Sequence, residues 1–292
     1  MWVADEWTDF ELLDAGNGEK LERWGPYILR RPDPQAIWPA DKNTREWSSA
    51  DAVYRRSASG GGHWESDGNV PECWEIGYKR LRFKVRPMQF KHTGIFPEQA
   101  VNWDWIVDRL GECKKRRAGA PGVLNLFAYT GASSVAAASA GASVCHVDAA
   151  RGIVAKAKEN VALSGIGNGG VRYIVDDVLK FVRRERRRNA RYDAVIMDPP
   201  AYGRGPGGEL WKAETHLYET VEICADLLAD RPLFFIINAY AAGISASSIE
   251  NILRAALCGK FGGRAESSEI GLPLSRRDMV LPCGCSARWE RG

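Results

Sequence analysis

The stretch from Pro121 to Asp148, PGVLNLFAYTGASSVAAASAGASVCHVD, restricts the possible folds more than any other part of the chain. Val123, Leu124, Leu126 and Phe127 form an apolar run without alternation, which suits a parallel strand covered on both faces. Thr130 and Gly131 permit a tight turn into a helix from Ser133 to Ala140, whose N-terminal amides point at whatever binds there. A second strand, Val144 to Asp148, ends in an acid placed to accept hydrogen bonds from a ribose diol. A nucleoside-bearing ligand is the first implication.

The alternation continues to the end of the chain. Helical spacing marks Gly152 to Ser164, and Val171 to Val175 reads as a third strand followed by Asp176 and Asp177. The helix Val178 to Asn189 puts Leu179 and Val182 inward and Arg183, Arg184, Arg186, Arg187 and Arg188 mostly outward. Tyr192 to Met197 is a fourth strand that runs into Asp198-Pro199-Pro200-Ala201-Tyr202, and the glycine-rich GRGPGGELW after it reads as a loop that is mobile or ordered only by ligand. A helix (Glu214 to Ala229), a strand (Leu233 to Ile237), a helix (Ala246 to Leu257) and two last strands, near 264–270 and 278–288, complete an α/β pattern.

Residues 1–75 differ in character. Trp2, Trp7, Trp24, Trp38, Trp47, Trp64 and Trp74 stand among Gly, Pro and Asp, a composition of short strands and turns, so this region reads as a β-rich accessory domain preceding a main domain at 76–292. Ser57 to Gly62 is a loop tip or hinge. In the stretch 79–91, Lys79, Arg80, Arg82, Lys84, Arg86 and Lys91 include no acid, and Leu81, Phe83 and Val85 alternate with cations. Such a strand either tracks a phosphate backbone or is a solvated face. Residues 98–110 follow as an amphipathic helix with Val101, Trp105, Val107 and Leu110 among its apolar positions.

A net charge of +3 means that any nucleic-acid affinity comes from local clustering. Seven cysteines, an odd and scattered set, argue for a reducing compartment. Cys283 and Cys285 have no partner pair or nearby histidine, so they read as two thiols in a strand and no metal site is expected. No stretch approaches the roughly 20 apolar residues of a membrane span, and a cytoplasmic location with no membrane partner is expected. Nothing in the pattern sets an oligomeric state.

Four loops thus fall at the carboxyl ends of successive strands: Phe127 to Gly131, Asp148, Asp177 and Asp198 to Tyr202, the rim where open α/β sheets bind ligands. Taken singly, Asp148 or Asp177 is as readily a helix cap. In Asp198-Pro199-Pro200 the two prolines fix φ, so the carbonyls are rigid and point into the crevice.

The order of these loops resembles the class I S-adenosylmethionine-dependent methyltransferases over roughly residues 76–289. NLFAYTG, KAKENVALSG and DPPAY are similar to the branch containing bacterial large-subunit ribosomal RNA methyltransferases. The resemblance implies a Rossmann-like α/β fold with a mostly parallel seven-stranded sheet and S-adenosylmethionine as cofactor. It implies that Phe127, Ala128, Tyr129, Thr130 and Gly131 cradle the methionine part, that Asp148 takes the ribose and Asp177 the adenine, and that Phe96 and Gln99 in HTGIFPEQAVNW cover the cofactor. Asp198, Pro199, Pro200 and Tyr202 become the acceptor site, with Tyr202 stacking on a flipped base. NLFAYTGASS lacks GxGxxG, which argues against a nicotinamide enzyme. Ala201 stands where enzymes that methylate amino groups carry their aromatic, which weakens the case for an adenine amino target. Members that methylate pyrimidine carbon 5 carry a cysteine after the fifth strand; here Asn238-Ala239-Tyr240 stands there, so a nitrogen or oxygen acceptor fits better. The leading expectation is methylation of an RNA base at nitrogen, with RNA bound along 79–91. A small-molecule methyltransferase and a non-catalytic RNA-binding factor are the alternatives.

Overall fold

A computed structural model of the chain describes residues 1–57, 61–88, 91–116, 119–167, 169–241 and 243–292. It divides into two compact units, Met1–Val101 with Ile270–Cys283, and Asn102–Glu269 with Gly284–Gly292. The compositional change at residue 75 and this division are different lines. The hairpin that follows residue 75 remains with the first unit because Trp74 packs edge-on against Tyr27 at 5.0 Å and donates from its indole to the Trp24 carbonyl.

In the second unit the strands of the large sheet, numbered along the chain, are β1 (Gly122–Leu126), β2 (Ser143–Asp148), β3 (Val171–Val175), β4 (Ala194–Met197), β5 (Phe234–Ala239), β6 (Arg264–Pro273) and β7 (Val280–Glu290); β6 belongs to this unit up to Glu269 and β7 from Gly284. Their spatial order is β3-β2-β1-β4-β5-β7-β6, and the sheet has eight strands, one more than the seven expected, because Trp2–Val3 pairs in parallel with Ile270–Gly271 of β6. The pairs from β3 to β5 are parallel, and β7 runs antiparallel to β5. The absence of alternation in β1 has the cause that its sequence implies. Val123, Ala194, Ile196, Phe234 and Ile236 bury one face against Ile106, Leu110 and Ala137, while Leu124, Leu126, Val195, Met197, Phe235 and Ile237 bury the other against Phe181, Val221, Ile249 and Leu253. Each large side chain so covered contributes about 1.5–3 kcal/mol. The order reverses between β1 and β4, so the crevice beyond Leu126 and Met197 lies at the switch point.

Two helices bury more than their sequence reading names. The first runs from Ala100 to Arg116 and buries Trp103, Ile106 and Leu110, while Val101, Trp105 and Val107 are only half-buried. The arginine-rich helix, Val178–Arg187, buries Val178, Phe181, Val182 and Glu185, with Leu179 at the margin. Glu185 is drawn inward by Tyr192, whose hydroxyl donates to it at 2.7 Å, and by Arg172 at 3.3 Å.

The first unit is β-rich. Phe10–Gly16, Glu19–Trp24, Tyr27–Pro32, Ala52–Arg56 and Gly62–Ser66 form one sheet, and Trp74–Tyr78 pairs with Leu81–Val85. The tryptophans supply much of its interior, with Trp24, Trp47 and Trp74 buried. Glu22 is wholly buried and accepts two bonds from Arg31, at 2.6 and 2.7 Å. Burial alone would raise its pKa, but Arg31 and Lys20 bring it down to about 2. Of the predicted hinge at Ser57 to Gly62, residues 58–60 lie outside the described residues, and Gly62 already belongs to a strand. Among the described residues no helix is long and apolar enough to cross a membrane.

Candidate functional site

Strand β1 ends in a turn with unusual backbone. Phe127 and Tyr129 have φ of 53° and 49°, and Gly131 has φ of 83°. Non-glycine residues in this left-handed region are strained and persist only where surrounding structure holds them. Here the holding is explicit: Ala128 N donates to Val147 O at 3.0 Å, Gly131 N to Ala128 O at 2.9 Å, and Tyr129 N to Asp148 Oδ2 at 2.9 Å. Gly131 has a second constraint, since a Cβ there would stand 2.9 Å from that of Ala157. The Asn160 amide, buried in the helix Arg151–Leu163, donates to Thr130 O at 2.9 Å.

Asp148 is therefore built into the turn. Its Oδ1 accepts Ala150 N–H and its Oδ2 accepts Tyr129 N–H, both at 2.9 Å. Each carboxylate oxygen accepts up to two hydrogen bonds, so both can still receive a hydroxyl of a vicinal diol. Burial raises the Asp148 pKa above its ordinary value while these amide bonds oppose the rise. Beneath the turn lies a buried polar chain. Asn125 Nδ2 donates to Ser134 Oγ at 2.9 Å, and Ser134 Oγ shares a hydrogen bond with His146 Nδ1 at 3.0 Å. His146 Nε2 meets no partner among the described residues, and burial pushes the ring pKa down to about 4, so the imidazole is neutral at pH 7.

Asp177 caps the arginine-rich helix: its Oδ1 accepts Lys180 N–H at 2.9 Å. Asp176 N donates to Asp148 O at 3.2 Å, which joins the two acidic loops.

The acceptor side departs from its sequence reading in two respects. GRGPGGELW is a hairpin, with Tyr202–Arg204 paired to Leu210–Lys212, because Gly208 at φ 88° closes the turn and Gly205 N donates to Glu209 O. The Pro200 carbonyl does not serve the crevice alone, since it accepts the Trp211 indole N–H at 2.8 Å. Trp211, only 4% exposed, also lies against Phe127 with ring centroids 4.6 Å apart. One side chain thus ties the turn after β4 to the turn after β1. The hairpin reaches farther, for a Cβ at Gly205 would come within 3.0 Å of Asp177 Oδ2, and Lys180 pairs with Glu209. Tyr202 is 53% exposed.

The structure accordingly brings Phe127 to Gly131, Asp148, Asp177 and Asp198 to Tyr202 to one rim of the second unit. Phe96 and Gln99 belong to the first unit, Phe96 just before and Gln99 at the end of the short turn Pro97–Gln99. Sequence reasoning missed Trp211, Asn160 and His146. Trp211 could have been suspected as a lone large aromatic among glycines, and Asn160 as a polar residue on the inner face of its helix. In the stretch 79–91, Leu81, Phe83 and Val85 are buried as the alternation implies. Several of its cations are engaged, however: Lys79 pairs with Glu6 at 2.8 Å, Arg82 donates to Lys79 O and Leu81 O, and Lys91 donates to Pro32 O at 2.9 Å. Residues 89 and 90 lie outside the described residues.

Comparison with known proteins adds four findings. A family model described as S-adenosylmethionine-dependent methyltransferase matches residues 33–259. Over 122 residues the chain is 33% identical to the ribosomal RNA large subunit methyltransferase K/L of Shewanella frigidimarina (strain NCIMB 400), a match covering 41% of this chain but 16% of that protein. The chain therefore spans about a sixth of the length of such curated relatives. Among solved structures, the SAM-dependent methyltransferase from Agrobacterium tumefaciens is 35% identical with a TM-score of 0.93, covering 100% of this chain and 93% of that one. A protein from Streptococcus mutans shares the fold at 18% identity and a TM-score of 0.75, covering 98% of this chain and 76% of that one.

Proposed function

Because the chain belongs to the S-adenosylmethionine-dependent methyltransferase family, its methyl donor is known in kind, and we propose that its acceptor is a base in RNA, ribosomal RNA above all, methylated at a nitrogen. The observation that carries this reading is the Trp211 junction, which holds Asp198-Pro199-Pro200 against the turn after β1. The curated relatives, named as ribosomal RNA methyltransferases, point to the same substrate class.

Asp148 would hold the ribose hydroxyls, Asp177 the adenine edge, and Phe127 to Gly131 the methionine part. The residues fit this ligand: the Asp148 oxygens retain acceptor capacity, and the strained turn is locked from behind by Val147 O, Asp148 and Asn160 rather than by anything it would bind. When bound, S-adenosylmethionine supplies a methyl group on a cationic sulfur, open to attack by a nucleophile. The chain's part is alignment and exclusion of water, which can lower a barrier by about 7–11 kcal/mol when the reacting atoms are held in line. The Asp198 carboxylate and the Pro199 and Pro200 carbonyls are the acceptors of this turn that we assign to a ring or exocyclic N–H of the target base, with Tyr202 as its stacking face, Pro200 O sharing its two lone pairs with the Trp211 indole.

The surroundings of β5 support nitrogen over carbon 5. Asn238 is buried and accepts from Asn102 Nδ2 at 3.0 Å, where a nucleophilic cysteine would be needed. The neighbouring thiol, Cys285 on β7 opposite Ala239, donates to Ala239 O and Ile244 O at 3.6 Å, and burial raises its pKa, the reverse of an activated nucleophile. Nucleoside analysis of RNA methylated by the purified protein tests the assignment. An N-methylated nucleoside, with Cys285→Ser retaining turnover, is expected; a 5-methylpyrimidine, or loss of turnover in Cys285→Ser with cofactor binding intact, would overturn it.

A further inference from the structure

The hairpin over the acceptor turn has two unlike faces. Opposed residues of an antiparallel pair share a face, so Gly203 and Trp211 point one way, and Tyr202 with Lys212 and Arg204 with Leu210 point the other. The inner face is closed: Trp211 is buried, and a Cβ at Gly203 would stand 3.4 Å from Pro200 Cγ. The four residues of the outer face are all exposed. Neither Arg204 nor Lys212 has an ion pair among the described residues, whereas three of the cations on the arginine-rich helix are engaged, Arg183 with Glu219, Arg184 with Asp176 and Arg186 with Asp226. The hairpin's own acid, Glu209, is held by Lys180 and Gly207 N–H.

We propose that this outer face, Tyr202, Arg204, Leu210 and Lys212, is the docking surface for the single-stranded RNA that flanks the target base, an inference that rests on the RNA reading above. The chemistry matches a single strand: an exposed ring for base stacking beside two cations for phosphates. The place matches too, because the face is anchored to the acceptor turn through Trp211 Nε1 to Pro200 O and Ala213 N to Ala201 O at 3.0 Å. A nucleotide resting on it is therefore next to the one in the site. A duplex, with its bases stacked inside, gains nothing from Tyr202 and Leu210.

The test is fluorescence anisotropy of a labelled single-stranded oligoribonucleotide of about 16 nucleotides, titrated with the full chain over a range of salt concentrations, with calorimetry of S-adenosylmethionine alongside. Arg204→Glu/Lys212→Glu should weaken the oligonucleotide and flatten the slope of log K against log salt by about 0.7 for each lost phosphate contact. Tyr202→Ala should weaken it roughly tenfold with little change in slope. Cofactor affinity should be unchanged in both; where the double reversal disturbs it, the neutral pair Arg204→Gln/Lys212→Gln carries the same test. Unchanged affinity and slope in the hairpin variants, with weakening in Lys84→Glu/Arg86→Glu, would overturn the hairpin assignment while leaving the RNA reading in place. Equal or tighter binding of a duplex of the same sequence would also overturn it. A wild-type protein that neither binds the oligonucleotide nor methylates RNA would remove the RNA reading itself.

Discussion

The donor wall and the acceptor side of the second unit are built on opposite principles. The donor wall is fixed by the main chain: Asp148 is bonded to two backbone amides, and the strained turn at Phe127 and Tyr129 is held by Val147 O, Asp148 and Asn160. The acceptor side is fixed by a hairpin, through Trp211 to Pro200 O and to Phe127, Ala213 N to Ala201 O, and Lys180 to Glu209. The difference teaches that the turn after β1 is braced by its own neighbouring backbone, while the turn after β4 depends on a hairpin docked chiefly through Trp211.

This contrast can be broken most directly at Asp148. Asp148→Ala removes a carboxylate that braces the turn and that we propose holds the ribose, and should weaken S-adenosylmethionine by roughly 100-fold, about 3 kcal/mol, in a calorimetric titration. Retained affinity would mean that the donor wall does not depend on it. The raised pKa adds a sign: cofactor affinity should begin to weaken on acidification at a higher pH than an ordinary aspartate, at 3.8, would produce.

His146 tests whether the support beneath that wall is a neutral polar chain. Its pKa is about 4 in the folded chain against 6.5 for the free side chain, so the unfolded state binds more protons between those values. Its contribution is present above pH 6.5 and declines as pH falls toward about 4, by about 3 kcal/mol in all. Denaturant titrations of His146→Gln should show a shallower acid limb than the parent; an identical limb would place the acid sensitivity elsewhere.

Trp211→Phe sharpens the acceptor half. It preserves an aromatic ring beside Phe127 but leaves the Pro200 carbonyl without its donor, a loss of about 1–3 kcal/mol in such settings. Turnover should fall about tenfold with the cofactor KM unchanged. A rise in cofactor KM at constant kcat would move Trp211 to the donor side. The smallest effect belongs to the arginine-rich helix: Arg183→Gln/Arg186→Gln should leave RNA affinity unaltered, because those charges face Glu219 and Asp226 in exposed pairs worth about 0–1 kcal/mol each. Weaker RNA binding in that variant would show the pairs opening to a substrate.

Much of the donor half was legible in the sequence. Strands β4 and β5, and β1 but for Asn125, announce themselves as apolar runs because they are covered on both faces, and Asp148 stands at the end of β2. The acceptor half was legible only as far as Asp198-Pro199-Pro200. GRGPGGELW carries no apolar alternation, since its inner face consists of Gly203 and Trp211 and its outer face is solvated, so periodicity had nothing to register. The helix Ala100–Arg116 misled for a related reason: Trp103 and Trp105 both look like core residues, and only packing shows that Trp103 is buried. Residues 76–101 read as the opening of the main domain because their charge differs from what precedes them, while aromatic contacts such as Trp74 with Tyr27 keep the hairpin in the first unit.

The central claim, a methyl group moved from S-adenosylmethionine to an RNA base, is tested most directly by radiolabelled methyl transfer. Purified protein and labelled donor would be presented with the RNA, protein and small-molecule fractions of cells that lack this chain. Label is predicted in the RNA fraction, in ribosomal RNA first, and absent with Asp148→Ala; label confined to the small-molecule fraction would contradict the claim.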